Sequence, residues 1–398
     1  MLKTKQYINL YLKKFKKTLN LIASENFLPP SSKCALINEI YNRYCFDDDE
    51  TFFFPDRECL QNIKENCVNM LRLLLNVKYV NLKAISGLNC MTLVLGFLRK
   101  KYKCFISLDP ISGGHGVTRT LAKEFNLNTK YLRLNKTLDI DLESLKKIVC
   151  NYNENETVLY IDHMNVLFPL DIEKIRNAFP KMLIIYDVSH ILGLILGKAF
   201  PNPLEFGADI LVGSTHKTFP GPHKGIIATN KLLISKQMKF YSEVFISHEH
   251  ICDTAILALT LENNKHQLKK YASRTIENAY VFAENLYKND INVLFRNLGF
   301  TRTHQIWIDV ADSKDEVYEI VERLASYGIV VNAIILPVIS KWGIRVGMNE
   351  ISQRLSANDV AELALYFALI CKNSITKDQG KILVGIIKKY HRKRSILN

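Results

Sequence analysis

Residues 183–194 read LIIYDVSHILGL, and residues 208–230 read ADILVGSTHKTFPGPHKGIIATN. Each stretch opens on a short apolar run rich in β-branched side chains, 182–186 in the first and 210–213 in the second. Runs of this length and character are those of strands buried on both faces of a parallel sheet. The polar residues that follow, Asp187 and His190 in one and Ser214, His216 and Lys217 in the other, then fall at strand carboxyl ends. That is where open α/β sheets bind ligands.

The residue types suit pyridoxal 5'-phosphate. A lysine amine condenses with the aldehyde of that cofactor, and an aspartate at the pyridine nitrogen keeps the ring protonated, so that it draws electrons from the α-carbon of an amino acid. Lys217 and Asp187 carry the groups these two roles need. Ser86 and Gly87 follow an apolar segment and open a helical one, so backbone N–H groups there are placed to cradle a phosphate.

Outward from this centre, strand and helix patterns alternate. A helix is expected over 56–75 and a strand over 77–85. Pairs follow at 105–108 with 117–125, 131–134 with 142–150, and 158–161 with 172–178. This alternation marks a mostly parallel sheet with helices on both faces. Residues 250–288 read as a largely helical passage. Beyond it, a strand at 306–310 and helices at 314–327 and 358–372 form a smaller α+β unit, with Gly328 closing the first of those helices.

The 398 residues, 48% of them hydrophobic, suffice for a large core divided among domains. Nine cysteines with no CxxC pair argue for reduced thiols in a reducing compartment. No apolar run reaches the ~20 residues of a membrane-spanning helix. The net charge of +14 favours anionic ligands. Residues 1–24 hold six lysines and no acid until Glu25. This pattern fits a mitochondrial presequence or a structural helix, so mitochondrial and cytoplasmic locations both stand. The basic tail 388–394, KKYHRKR, reads as a solvated helix end or as a nucleic-acid patch.

The quoted strings resemble those of serine hydroxymethyltransferase. In that family the lysine segment runs approximately THKTLRGPRGG and the aspartate segment approximately DMAHIAGL. LIASENF at 21–27 matches the family's N-terminal signature, and GGH at 113–115 matches the segment whose histidine stacks on the cofactor. SGLN at 86–89 resembles SGSQ, the phosphate-side turn, and GIRVG at 343–347 resembles the segment whose arginine holds the substrate carboxylate. All occur in family order.

The resemblance implies an α/β fold of type I for pyridoxal phosphate. It has an N-terminal arm and dimer-contact segment (1–55), a large mostly parallel sheet domain (56–291) and a smaller α+β C-terminal domain (292–398). It implies catalytic roles for Lys217, His115 and Asp187, and a cofactor shell of Ser86, Gly87, His115, Asp187, His190, Ser214, His216 and Lys217. Ser24, Tyr44 and Arg345 are implied on the substrate side, with no metal. The implied reaction converts serine and tetrahydrofolate reversibly to glycine and methylenetetrahydrofolate, in a homodimer or dimer-based oligomer.

Several positions depart from the family. A gap-free alignment back from Ser86 sets Tyr44 on the family's YAEGYPG tyrosine, and Phe46 then stands at its catalytic glutamate. Phenylalanine cannot move a proton. A slip of one or two residues would bring Asp47 or Asp48 there instead. The same alignment puts Phe54 at a functional tyrosine. Met164 stands where a serine bonds the cofactor's phenolic oxygen, Ser247 and His248 replace a glycine pair that reaches the partner subunit's phosphate, and GPRGG becomes GPHKG through His223 and Lys224. Two other readings therefore stand beside the first. One is a noncatalytic paralogue acting as a regulatory or RNA-binding partner, and the other is an aldolase acting on β-hydroxy amino acids without folate.

Overall fold

The computed structural model describes residues 3–45 and 57–397. Phe46, Asp47, Asp48 and Phe54 lie outside the described residues. The chain forms two compact units, Asn26–Lys269 with Leu397–Asn398, and Met1–Glu25 with Lys270–Ile396. The first 25 residues, set apart from sequence as part of an arm, thus belong with the C-terminal unit.

The larger unit is built on seven strands: β1 (Tyr79–Asn81), β2 (Cys104–Leu108), β3 (Thr129–Leu132), β4 (Thr157–Ile161), β5 (Leu183–Asp187), β6 (Ile210–Ser214) and β7 (Gly225–Thr229). Their order is β1-β7-β6-β5-β4-β2-β3. The strands from β6 to β3 are parallel to one another, and β7 runs antiparallel to both β6 and β1. Every residue of β2, β4, β6 and β7 is buried, which explains their unbroken apolar character. Helices Gly87–Leu98 and Leu232–Phe245 cover one face, where Leu93, Val94 and Met238 pack with Phe105, Ile185 and Val212.

Two elements differ from the sequence reading. β7 had not been expected, and the strand expected at 77–85 shrinks to Tyr79–Asn81, paired antiparallel to β7. A local bond ends it: the Asn81 side-chain carbonyl accepts the Lys83 N–H at 3.0 Å, turning the chain out of the sheet.

The other unit carries an antiparallel sheet of β8 (Asn292–Val293), β9 (Gln305–Asp309), β10 (Asn332–Leu336) and β11 (Lys341–Gly347), in the order β8-β9-β11-β10. Helices Lys314–Ser326, Ala357–Cys371 and Lys377–Arg392 belong to the same unit. Leu19–Asn20 pairs in parallel with Ile329–Val330, and Leu19 and Leu21 enter this core. Helix Thr4–Phe15 has no buried residue. The basic tail ends helix Lys377–Arg392, where Lys389 pairs with Asp359 at 2.7 Å, Lys393 pairs with the same carboxylate, and Tyr390 is fully buried. Among the described residues no helix is long and apolar enough to cross a membrane.

One glycine joins residues 183–194 to residues 208–230. A Cβ on Gly193 would come within 2.4 Å of the Thr218 carbonyl, and the Gly193 N–H donates to Thr218 Oγ1 at 3.1 Å. The helix after β5 therefore lies directly on the backbone of the Lys217 loop. Gly193→Ala should cost about 1–3 kcal/mol in urea unfolding, because backbone on both sides must move. An unchanged midpoint would show that the contact yields freely.

Candidate active site

The carboxyl ends of the strands converge on one cleft of about 220 Å³. Its wall is drawn from five strand exits: Ser86 and Gly87 after β1, His115 after β2, Asp162, His163 and Met164 after β4, Asp187, Ser189 and His190 after β5, and Ser214, His216 and Lys217 after β6. Parallel pairing of Asp187 with Val212 sets the last two exits side by side.

Each exit has a local cause. Ser86 caps helix Gly87–Leu98, its Oγ accepting the Asn89 N–H at 3.1 Å, and so aims the helix start at the cleft. Glycine at position 87 keeps this approach close, since a Cβ would stand 3.0 Å from Ser189 Oγ and 3.3 Å from the Ser214 nitrogen and its neighbours would have to give by a few tenths of an ångström. Ser189 Oγ accepts the Ser214 N–H at 2.9 Å, and Asp187 accepts the Ser189 N–H at 2.8 Å, so the β5 and β6 exits brace each other.

The Lys217 loop closes on itself. Thr215 N–H donates to the Lys224 carbonyl at 3.0 Å, Thr215 Oγ1 donates to the Pro222 carbonyl at 2.6 Å, and Gly221 N–H donates to the Thr215 carbonyl at 2.9 Å. Asn26, from the LIASENF string, donates its side-chain amide to the Lys217 carbonyl at 2.7 Å. Lys224 itself is fully buried and pairs with Glu249 at 3.3 Å. Burial works to raise the Glu249 carboxyl, but the ammonium groups of Lys224 and Lys64 outweigh it and hold it down to about 2.

Sequence reasoning missed Asp162. It lies at the β4 exit, 2% exposed, with one oxygen accepting the Leu108 N–H and the other the His115 N–H, each at 3.1 Å. This carboxyl ties the His115 segment to the sheet, and burial pushes it up to about 7. Its only sequence signal is an ionisable residue directly after a buried strand.

Three of the cleft's histidines, His115, His163 and His216, are held neutral. Burial lowers His115, with Asp187 opposing and Lys217 assisting. Burial, then His223 and Lys217, bring His216 down to about 3, and the His216 and His223 rings stack at 4.0 Å. Burial also takes His163 down to about 4.

Among the described residues, Ser214 Oγ, His115 Nδ1 and His216 Nδ1 are buried polar atoms without hydrogen-bond partners. Such atoms are costly unless a bound group satisfies them. The donor set fits pyridoxal phosphate: a helix start and a serine hydroxyl for its phosphate, a carboxylate for its ring nitrogen and a lysine for its aldehyde.

The remaining sequence candidates lie elsewhere. Tyr44 does not line this cleft; it is exposed and stacks on His248 at 3.9 Å. Ser24 and Arg345 belong to the other unit. There Arg345 sits in β11 opposite Trp307 and Asn332, 6% exposed, and burial lowers its guanidinium to about 10. Among the described residues no cluster of side chains suited to a metal is present.

Fold and cleft together define a type I pyridoxal-phosphate protein. A family model described as serine hydroxymethyltransferase matches residues 3–367. The chain is 32% identical over 343 residues to an L-threonine:uridine-5'-aldehyde transaldolase of a Streptomyces species, covering 84% of this chain and 80% of that protein. It is 29% identical over 371 residues to the serine hydroxymethyltransferase of Pyrobaculum aerophilum, covering 90% and 85%. A crystal structure of L-threonine transaldolase from Pseudomonas fluorescens has the same fold, with a TM-score of 0.89 at 22% identity over 97% of this chain and 90% of that one. This chain belongs to the serine hydroxymethyltransferase family, and its cofactor is pyridoxal 5'-phosphate.

A buried carboxyl with a raised pKa favours the protonated fold. Its contribution is complete below the ordinary value of 3.8 and is lost as pH rises through about 7, worth about 4 kcal/mol over the range. Asp162→Asn should abolish that component, so urea stability between pH 4 and pH 8 should fall less in the variant than in the wild type. Parallel pH profiles would remove Asp162 from this account.

Proposed function

We propose that this protein breaks and forms the Cα–Cβ bond of β-hydroxy α-amino acids of the threonine type without folate, releasing or exchanging an aldehyde. The observation that carries this choice is Phe46. With phenylalanine aligned on the family's catalytic glutamate, the proton transfers of folate-dependent hydroxymethyl exchange lose their carboxylate. The transaldolase relatives support the same reading.

In this reading Lys217 anchors the cofactor, Asp187 faces its ring nitrogen, and Ser86, Gly87 and Ser214 hold its phosphate. His190 packs beside Asp187. Pyridoxal phosphate, when bound, supplies the electron sink for the pair left at Cα. The chain's own groups manage the protons. His115, held neutral by burial and fixed through its backbone by Asp162, lies against the cofactor and accepts the proton of the substrate's β-hydroxyl as the carbonyl forms. That proton passes from His115 to Lys217, which delivers it to Cα, so both groups end as they began. Threonine thus yields glycine and acetaldehyde with no water consumed, and a second aldehyde entering before that delivery gives a new β-hydroxy amino acid.

The test compares two assays on the purified protein. Threonine without folate should release acetaldehyde. Serine with tetrahydrofolate should be slower by about 10² to 10⁴, the usual cost of a lost acid–base group, and Phe46→Glu should raise it. Rapid wild-type formation of methylenetetrahydrofolate, with no acetaldehyde from threonine, would overturn this proposal in favour of hydroxymethyl transfer.

A further inference from the structure

The roles assigned so far leave one buried polar group of the cleft unused, the imidazole of His163. It follows Asp162 at the β4 exit, is 4% exposed and lines the cleft wall. Its Nδ1 is a buried polar atom without a hydrogen-bond partner among the described residues. Burial takes the ring down to about 4, with the Asn165 backbone opposing, so at neutral pH it carries one N–H and one lone pair.

The backbone fixes where this ring stands. His163 pairs with Gly114 in an antiparallel bridge, and the N–H groups of Met164 and Asn165 both donate to the Gly113 carbonyl at 3.0 Å. Gly113 has a φ of +98°, and a Cβ on it would come within 2.7 Å of the Asn165 carbonyl oxygen and 3.5 Å of His163 Cδ2. The segment that leads to His115 therefore lies directly against the one that carries His163.

Sheet order says which part of the cofactor this residue can meet. Pyridoxal phosphate has its ring nitrogen and its aldehyde on one axis, the phosphate arm on one flank and the ring hydroxyl on the other. In the reading above Asp187, at the β5 exit, faces the nitrogen, and Ser214, at the β6 exit, holds the phosphate with Ser86 and Gly87. β4 lies on the opposite side of β5 from β6. On that placement the hydroxyl flank turns to the β4 exit, where Asp162, His163 and Met164 line the wall. Both oxygens of Asp162 already accept backbone N–H groups, and the thioether of Met164 has no proton to give.

We propose that His163 is a cofactor-binding residue whose ring hydrogen-bonds the hydroxyl oxygen of pyridoxal phosphate and so fixes the flank opposite the phosphate. A buried nitrogen without a partner is costly, and the hydroxyl removes that cost. The inference rests on the cleft assignment of Lys217 and Asp187, and it is independent of which β-hydroxy amino acid or aldehyde the protein takes.

The test titrates cofactor-free protein with pyridoxal phosphate and, separately, with its 3-deoxy analogue, which keeps the aldehyde and the phosphate and lacks only the hydroxyl. Wild type is compared with His163→Phe, which preserves the shape of a flat ring, and with His163→Leu, so that one variant that fails to fold does not end the test. The wild type should prefer pyridoxal phosphate over the analogue by a factor roughly tenfold or more larger than either variant does, because only the wild type has a bond for the hydroxyl to make. The hydroxyl's own effect on reaction with a lysine is common to all three proteins and cancels. Borohydride reduction of the same samples reads the point of attachment separately. Label on Lys217 throughout, with an equal preference in all three proteins, would overturn the role of His163 alone. Label on another lysine would overturn the cleft assignment beneath it.

Discussion

The parallel pairing of β5 with β6 is the constraint on which the rest of the site depends. Asp187 opposite Val212 fixes the register, and a shift of one residue would turn Asp187 and Ser214 to the wrong faces. That register is reinforced from outside the sheet. Ser189 bridges the two exits, Gly193 lies on the Lys217 loop, and Lys224 pins the far end of that loop to Glu249. The catalytic lysine of this reading therefore sits on a loop braced on three sides, which is how a flexible side chain is delivered to a fixed place.

The cleft combines a helix start suited to an anion with a set of neutral imidazoles. The helix start at Ser86 and Gly87 supplies oriented N–H groups without adding a titratable charge. His115, His163 and His216 are all held below their ordinary value, first by burial. Neutral imidazoles accept protons, which suits bond cleavage beside a hydroxyl. Asp162 is coupled to this chemistry only through the His115 backbone, and it acts as a positioning residue.

Much of this was legible in the sequence because the central strands are buried. Short apolar runs rich in β-branched residues at 182–186 and 210–213 leave little else for those segments to be, and the polar residues after them mark the binding edge. What was hidden is what depends on distant partners. β7 follows a turn rich in proline and glycine and is defined only by its antiparallel pairing with β6 and β1. Leu19–Asn20 finds its strand partner at Ile329–Val330, with no local signal for the pairing. Asp162 looked like any residue after a strand, because its two backbone partners, Leu108 and His115, come from a different strand exit.

The central claim is that the Lys217 side chain, at the β6 exit, carries the cofactor. Borohydride reduction of the protein with pyridoxal phosphate bound, followed by proteolysis and mass spectrometry, tests it most directly. The account predicts the reduced cofactor's mass on the single peptide containing Lys217, and no cofactor-bearing peptide after Lys217→Ala. The cofactor's mass on any other lysine, with the Lys217 peptide unmodified, would contradict it.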